Sequence, residues 1–316
     1  MRDAEIADWL AASDWSDWKR TVLAGDASAR RYERLSKQGE TAILMNAPPL
    51  QCGSQKPFVA IAEHLRSLGL AAPHILAFDE ALGLMILSDL GTSDVAQHLR
   101  IRPQDEALIY EAATDVLAHL SASPAPTGLM IMTPQVGADM LDPAFDWACV
   151  DQSTDLKSDI KAQMADVLMQ VSPDPKTLSL RDFHAENLIW RADKSHPDRI
   201  GLLDFQDAFV THPAYDLASL IRDARRDVSP DLLPRLVARL AKDVDEDTMT
   251  AAFHTMAVQR NLRILGIFHK LAKQQGKPRY LDLLPRVKHH LWTDLQVNHL
   301  ADLRPLARRA FGLNDG

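Results

Sequence analysis

The chain has little cysteine: Cys52 and Cys149 are the only two in 316 residues. Two thiols so far apart make neither a disulfide framework nor a zinc-ligand spacing, and reduced thiols in a cytoplasmic protein are the simplest account. No apolar run approaches the roughly 20 residues of a membrane span. Residues 1–18 are acidic with apolar positions at helical spacing, so the basic start and apolar core of an export signal are missing. A cytoplasmic location without a membrane partner is therefore expected. A basic surplus is absent as well: 35 Lys and Arg against 43 Asp and Glu leave a formal charge of -8, which argues against a nucleic-acid partner, whose footprint would be basic. There is no internal repeat or low-complexity segment, and 124–128 reads as a surface connection.

What is present suits one large core or two smaller ones, with 46% hydrophobic and 25% charged residues. Short apolar segments at 20–23, 31–35, 41–45, 74–78 and 84–87, bounded by Gly, Pro or charged turns, predict a five-stranded antiparallel sheet. Between the third and fourth, 58–68 carries Phe58, Ile61, Leu65 and Leu68 on one helical face. Trp9, Trp15 and Trp18 are expected to pack a leading helix onto this lobe. After Gly91 the helical period dominates, at 105–121, 155–171, 217–225, 230–242, 247–273 and 281–300. The fold class is α+β, with a smaller lobe at 1–90 and a mainly helical lobe at 91–316.

The chemistry is carried by two acidic stretches, Leu180-Arg181-Asp182-Phe183-His184-Ala185-Glu186-Asn187 and Leu202-Leu203-Asp204-Phe205-Gln206. Phosphoryl transfer asks for positioned charge rather than covalent work. Asp182 is placed to orient an acceptor hydroxyl and take its proton. Asn187 and Asp204 supply the oxygen ligands that Mg²⁺ prefers. The apolar runs 187–190 and 200–203, joined by a polar turn, predict a hairpin that brings Asn187 and Asp204 together. Each residue alone also suits a turn or cap; their joint order is what points to a phosphotransferase.

At these residues the chain resembles the aminoglycoside phosphotransferase and choline kinase group, small-molecule relatives of the protein kinases, whose motif is His-Gly-Asp-x-His-x-x-Asn. Asp182, His184 and Asn187 match, while Leu180 and Arg181 depart from it. His184 stands where protein kinases usually have Lys, which implies a small-molecule acceptor. The resemblance implies a bilobal protein-kinase-like fold with ATP as co-substrate. The segment 212–218, His-Pro-Ala-Tyr-Asp-Leu-Ala, extends it, with Asp216 expected to cap a helix and brace the catalytic loop. More narrowly, 25–32, 44–49, 259–268 and 276–280 are similar to the bacterial N-acetylmuramate and N-acetylglucosamine anomeric kinases. That subfamily phosphorylates the C1 hydroxyl of an amino sugar in cell-wall recycling.

Nucleotide contacts are expected from the turn Gly25, Asp26, Ala27 and Ser28, whose backbone N–H groups suit phosphates, and from backbone groups of Ser88, Asp89 and Leu90 at the lobe junction. A third-strand Lys is missing from 41–46. Arg31 and Arg34 on the preceding strand are the candidate substitutes, and only one face of that strand can meet the nucleotide. Asp223, Arg260 and Arg263 are candidates for the acceptor side, with Trp190 or Phe268 for a sugar ring face. His289 and His290 are adjacent and point apart, so they make no metal pair. Two alternatives stay open: an aminoglycoside- or choline-type phosphotransferase, and a pseudokinase that binds nucleotide without turnover. The oligomeric state is not encoded legibly.

Overall fold

Short apolar segments in the first ninety residues build a sheet with one face packed against the leading helix. The computed structural model describes residues 2–23, 29–151, 153–242 and 244–313. The expected turn at Gly25, Asp26, Ala27 and Ser28 lies outside the described residues. The opening elements are α1 (Arg2–Ala11), β1 (Lys19–Val22), β2 (Arg31–Lys37), β3 (Glu40–Asn46), α2 (Pro49–Cys52), α3 (Lys56–Ser67), β4 (Ile75–Asp79) and β5 (Leu84–Ser88). The strands form one antiparallel sheet in the order β1-β2-β3-β5-β4. Leu35, Ala42, Leu44, Leu84 and Ile86 bury one face against Ile6 and Leu10 of α1, and Trp9, Trp15 and Trp18 pack on that cluster. Alternation sends Tyr32, Arg34, Ile43, Met45, Met85 and Leu87 to the other face. The short α2 was not expected; its Pro lies in the first turn, where the missing N–H costs nothing.

The remaining elements are α4 (Val95–Ile101), α5 (Glu106–Ser121), α6 (Pro134–Asp139), α7 (Asp142–Trp147), α8 (Thr154–Val171), β6 (Thr177–Ser179), β7 (Leu188–Trp190), β8 (Ile200–Leu202), β9 (Phe209–Thr211), α9 (Ala214–Ile221), α10 (Leu232–Ala241), α11 (Glu246–Gln274), α12 (Leu284–Asp294) and α13 (Leu303–Phe311). The chain forms two compact units: Met1–Asp94 with Leu188–Asp207, and Val95–Asn187 with Ala208–Gly316. The β7–β8 hairpin, expected within the helical lobe, thus belongs with the sheet. Its Leu202 N–H donates to the carbonyl of Ala71 at 2.8 Å, and Phe205 just beyond it stacks on Phe58 of α3 at 4.9 Å.

The helical unit is organised on α11, a 29-residue helix packed by α7, α9 and α12. The side chain of Asp245 caps it by accepting the N–H of Thr248 at 2.9 Å. Gly266 lets it pack closely on α7: a Cβ there would lie 2.1 Å from the Pro143 carbonyl carbon and oxygen. Some expected helices differ. The segment 281–300 breaks into a 3₁₀ turn, Pro278–Leu283, the helix α12 and a second 3₁₀ turn, Asn298–Leu300. Pro285, which cannot donate to the preceding turn, sits at the start of α12. The helix expected over 217–225 ends at Ile221. The short helices α4, α6, α7 and α13 were not anticipated; each is too brief for a sustained 3.6-residue period.

Candidate active site

In the helical unit, the pairing of β6 with β9 frames the loop that carries Asp182. Ser179 pairs with Phe209, and the chain leaves β6 through Arg181, a non-glycine residue at φ +71°. Asp216, fully buried on α9, holds that turn: its carboxylate accepts the Ser179 hydroxyl and the Leu180 N–H, each at 2.7 Å, and the Arg181 N–H at 3.0 Å. Burial pushes the Asp216 carboxyl up to about 6, opposed by these same hydrogen bonds. Asp216 therefore braces the loop, as expected, but it does not cap α9, where the cap position is Pro213.

Downstream, the loop closes on itself. Asn187 donates its Nδ2 to the Asp182 carbonyl at 2.9 Å and lies 3.3 Å from His184 Nε2. With Nδ2 spent inward, the Oδ1 of Asn187 takes no hydrogen bond among the described residues. His184 is buried, and that burial, with Arg225 and Arg260 adding, holds its pKa well below the ordinary imidazole range, so it is neutral. Its role is to seat Asn187. Asp182 is half-buried, and among the described residues its carboxylate takes no hydrogen bond, which leaves it open to an incoming hydroxyl.

Asp204 follows β8 in the sheet unit, two residues beyond Leu202, whose strand partner is Leu188, the residue after Asn187. It adopts φ +56° and accepts Gln206 Nε2 at 2.9 Å. Tyr32 lies near it: burial first, and then the Asp204 carboxylate, push the Tyr32 hydroxyl up to about 12. Among the described residues no three His, Cys, Asp or Glu side chains gather as a metal cage. This donor set fits Mg²⁺, which is usually held by one or two carboxylates together with substrate phosphates.

The cations of β2 are placed differently from one another. Arg31 is exposed at the strand start and shares its face with Leu35, toward α1. Arg34 is on the opposite face but is committed: it bonds Asp89 at 2.6 and 3.3 Å and the Gly91 carbonyl at 2.9 Å. Ser88, expected to offer backbone groups, spends its N–H on the His74 carbonyl at 2.8 Å and its hydroxyl on the His74 N–H at 2.8 Å. Leu90 keeps its backbone groups unused among the described residues.

Of the residues expected on the acceptor side, Asp223 is buried just past α9 and accepts the Arg225 N–H at 2.8 Å through one oxygen, while its other oxygen has no partner among the described residues. Burial raises its carboxyl. Arg225 pairs with Glu186 at 2.9 Å. Arg260 is buried on α11, and Arg263 lies one turn on, half-buried. Phe268 packs on Tyr280 at 5.0 Å, and Trp190 stands beside Arg199. Sequence reasoning missed Arg181, Glu186, Arg225 and Tyr215. Their partnerships run across long sequence separations, as Arg225 with Glu186 does, so no local pattern singles them out.

The sequence matches the phosphotransferase enzyme family over residues 19–252. The chain belongs to that family. It is 36% identical to the N-acetylmuramate/N-acetylglucosamine kinase of Caulobacter vibrioides over 94% of this chain and 92% of that protein. It is 30% identical to the Pseudomonas aeruginosa kinase of the same name over 92% and 89%. In fold it is similar to the choline/ethanolamine kinase family protein of Mesorhizobium loti (TM-score 0.65, 15% identity, covering 96% of this chain and 100% of that one). It is likewise similar to ADP-bound aminoglycoside phosphotransferase APH(2'')-Ib (TM-score 0.64, 13% identity, 96% and 99%). This phosphotransferase is α+β, and no described helix is long and apolar enough to cross a membrane.

Proposed function

We propose that the protein phosphorylates the anomeric C1 hydroxyl of N-acetylmuramate and N-acetylglucosamine with ATP. The observation that carries the acceptor is the 36% identity to the Caulobacter vibrioides kinase along nearly the whole of both chains. The loop geometry supports the reaction: an unengaged Asp182 carboxylate beside an Asn187 whose amide is fixed by Asp182 and His184.

In this reading Asp182 orients the C1 hydroxyl and accepts its proton as the sugar oxygen bonds to the γ-phosphorus. The bond from that phosphorus to the β–γ bridging oxygen breaks, giving a sugar 1-phosphate and ADP. Asn187 and Asp204 would hold Mg²⁺, whose charge would offset that of the phosphates. Leu90 offers its backbone groups to adenine, and the segment 25–28 meets the phosphates. Retention of Asp182, Asn187 and Asp204 favours turnover over a pseudokinase despite the missing third-strand lysine.

Phosphorus NMR of the purified protein with ATP and Mg²⁺ tests this, with N-acetylmuramate, N-acetylglucosamine, kanamycin and choline in separate tubes. A sugar 1-phosphate signal that is lost in Asp182→Asn supports the assignment. A kanamycin or choline product, or none at all, overturns it.

A further inference from the structure

Buried guanidinium groups are rare unless something meets their charge. In the helical unit one buried and two half-buried guanidiniums are unmet among the described residues. Arg260 is 4% exposed, and its Nη1 is buried without a hydrogen-bond partner. Arg263, one turn further along α11 and so on the same helical face, makes no ion pair or hydrogen bond among the described residues, and neither does the side chain of Arg181. The buried Tyr215 hydroxyl is also unpartnered.

These groups are neighbours. Arg263 feels the charges of Tyr215, Arg181, Asp182 and Arg260, after burial itself. Arg260 feels Asp216 and Asp223, yet neither carboxylate reaches it as an ion pair: Asp216 is taken by Ser179, Leu180 and Arg181, and Asp223 by the Arg225 N–H. The remaining nearby cation, Arg225, is paired with Glu186. What is left beside Asp182 is a set of unmet donors, all suited to an anion.

Resting on the proposed sugar-kinase function, we infer that Arg263, backed by Arg260, binds a carboxylate on the acceptor sugar, and that this enzyme selects an acidic amino sugar over its neutral counterpart. A planar carboxylate takes two parallel N–H bonds from a guanidinium, whereas the polycationic acceptor of an aminoglycoside kinase would be repelled here. The same donors would also suit the phosphoryl group in transfer, and the test separates these two anions.

Steady-state kinetics would compare N-acetylmuramate, its methyl ester and N-acetylglucosamine for the wild type, Arg263→Gln and Arg263→Lys. Loss of a charge-assisted hydrogen bond is worth about 10- to 100-fold. The acid should lose that much kcat/KM in Arg263→Gln, mostly through KM, with partial rescue in Arg263→Lys. The ester and the neutral sugar should change by less than about 3-fold, since they have no charge for Arg263 to meet. Equal losses on all three sugars would place Arg263 on the phosphoryl group and overturn the inference. So would an unchanged preference in Arg263→Gln. A wild type inactive on every sugar would overturn the functional reading itself and this inference with it.

Discussion

An oxygen of the Asp216 carboxylate accepts the backbone N–H of Leu180 at 2.7 Å, across 36 positions of sequence. The other oxygen holds Ser179 and Arg181. One buried side chain on α9 thus fixes the backbone turn two residues before Asp182.

Asp216→Asn replaces one acceptor oxygen with an amide that can only donate, facing a backbone N–H. Stability should fall by about 1–3 kcal/mol, the usual cost of an unmet buried hydrogen bond. Turnover should fall at least about tenfold through misplacement of Asp182. Calorimetry and kcat measured together check this; a variant as active and stable as the wild type would remove the brace.

Asp182→Asn should lower kcat by at least about a hundredfold while nucleotide binding persists, the usual weight of a lost general base. Isothermal titration with ATP analogues alongside turnover provides the comparison. Unchanged turnover would dismiss Asp182 as the base.

Asp204→Asn isolates metal binding from folding. Asp204 occupies φ +56°, a region Asn tolerates about as well as Asp. Melting temperature should stay within about a degree, since backbone strain does not change. The Mg²⁺ concentration giving half-maximal activity should rise severalfold or more. A magnesium titration that overlays the wild type would count against the ligand role.

His212 ties stability to pH. Its Nδ1 accepts the Ala214 N–H at 3.1 Å, and burial lowers its pKa from 6.5 to about 4. The unfolded chain binds the extra proton first, so this group's contribution is present above pH 6.5 and lost as pH falls toward 4. The slope from one such group is at most about 1.4 kcal/mol per pH unit. His212→Asn, which keeps an acceptor near Nδ1, should flatten denaturation midpoints across that window. Midpoints in the variant that track the wild type would assign the acid sensitivity elsewhere.

The amino-terminal sheet was legible because its strands are short apolar segments separated by turn residues; the 31–35 expectation differs from β2 only by its last two residues. The mutual contacts of the loop were legible because Asp182, His184 and Asn187 lie within six positions. The bracing role of Asp216 was also foreseen, although the mechanism is an accepted trio of donors rather than a cap. Partnerships across long separations were not visible. Nothing local indicates that Arg34 is held by Asp89, 55 positions away, instead of being available to phosphate. The Arg225–Glu186 pair is hidden for the same reason, as are the short helices, where a few residues cannot display a period.

The contact at Gly266 has a consequence for how acceptor choice changes. Arg263 and Arg260 ride on the same helix, about one and two turns before a glycine whose added Cβ would run into the Pro143 carbonyl. A single added methyl group there has nowhere to go unless α11 slides or α7 yields, and either movement carries both guanidiniums with it. If Arg263 reads the acceptor carboxylate, substrate preference is thus exposed to drift, or to deliberate engineering, at a glycine packed against α7.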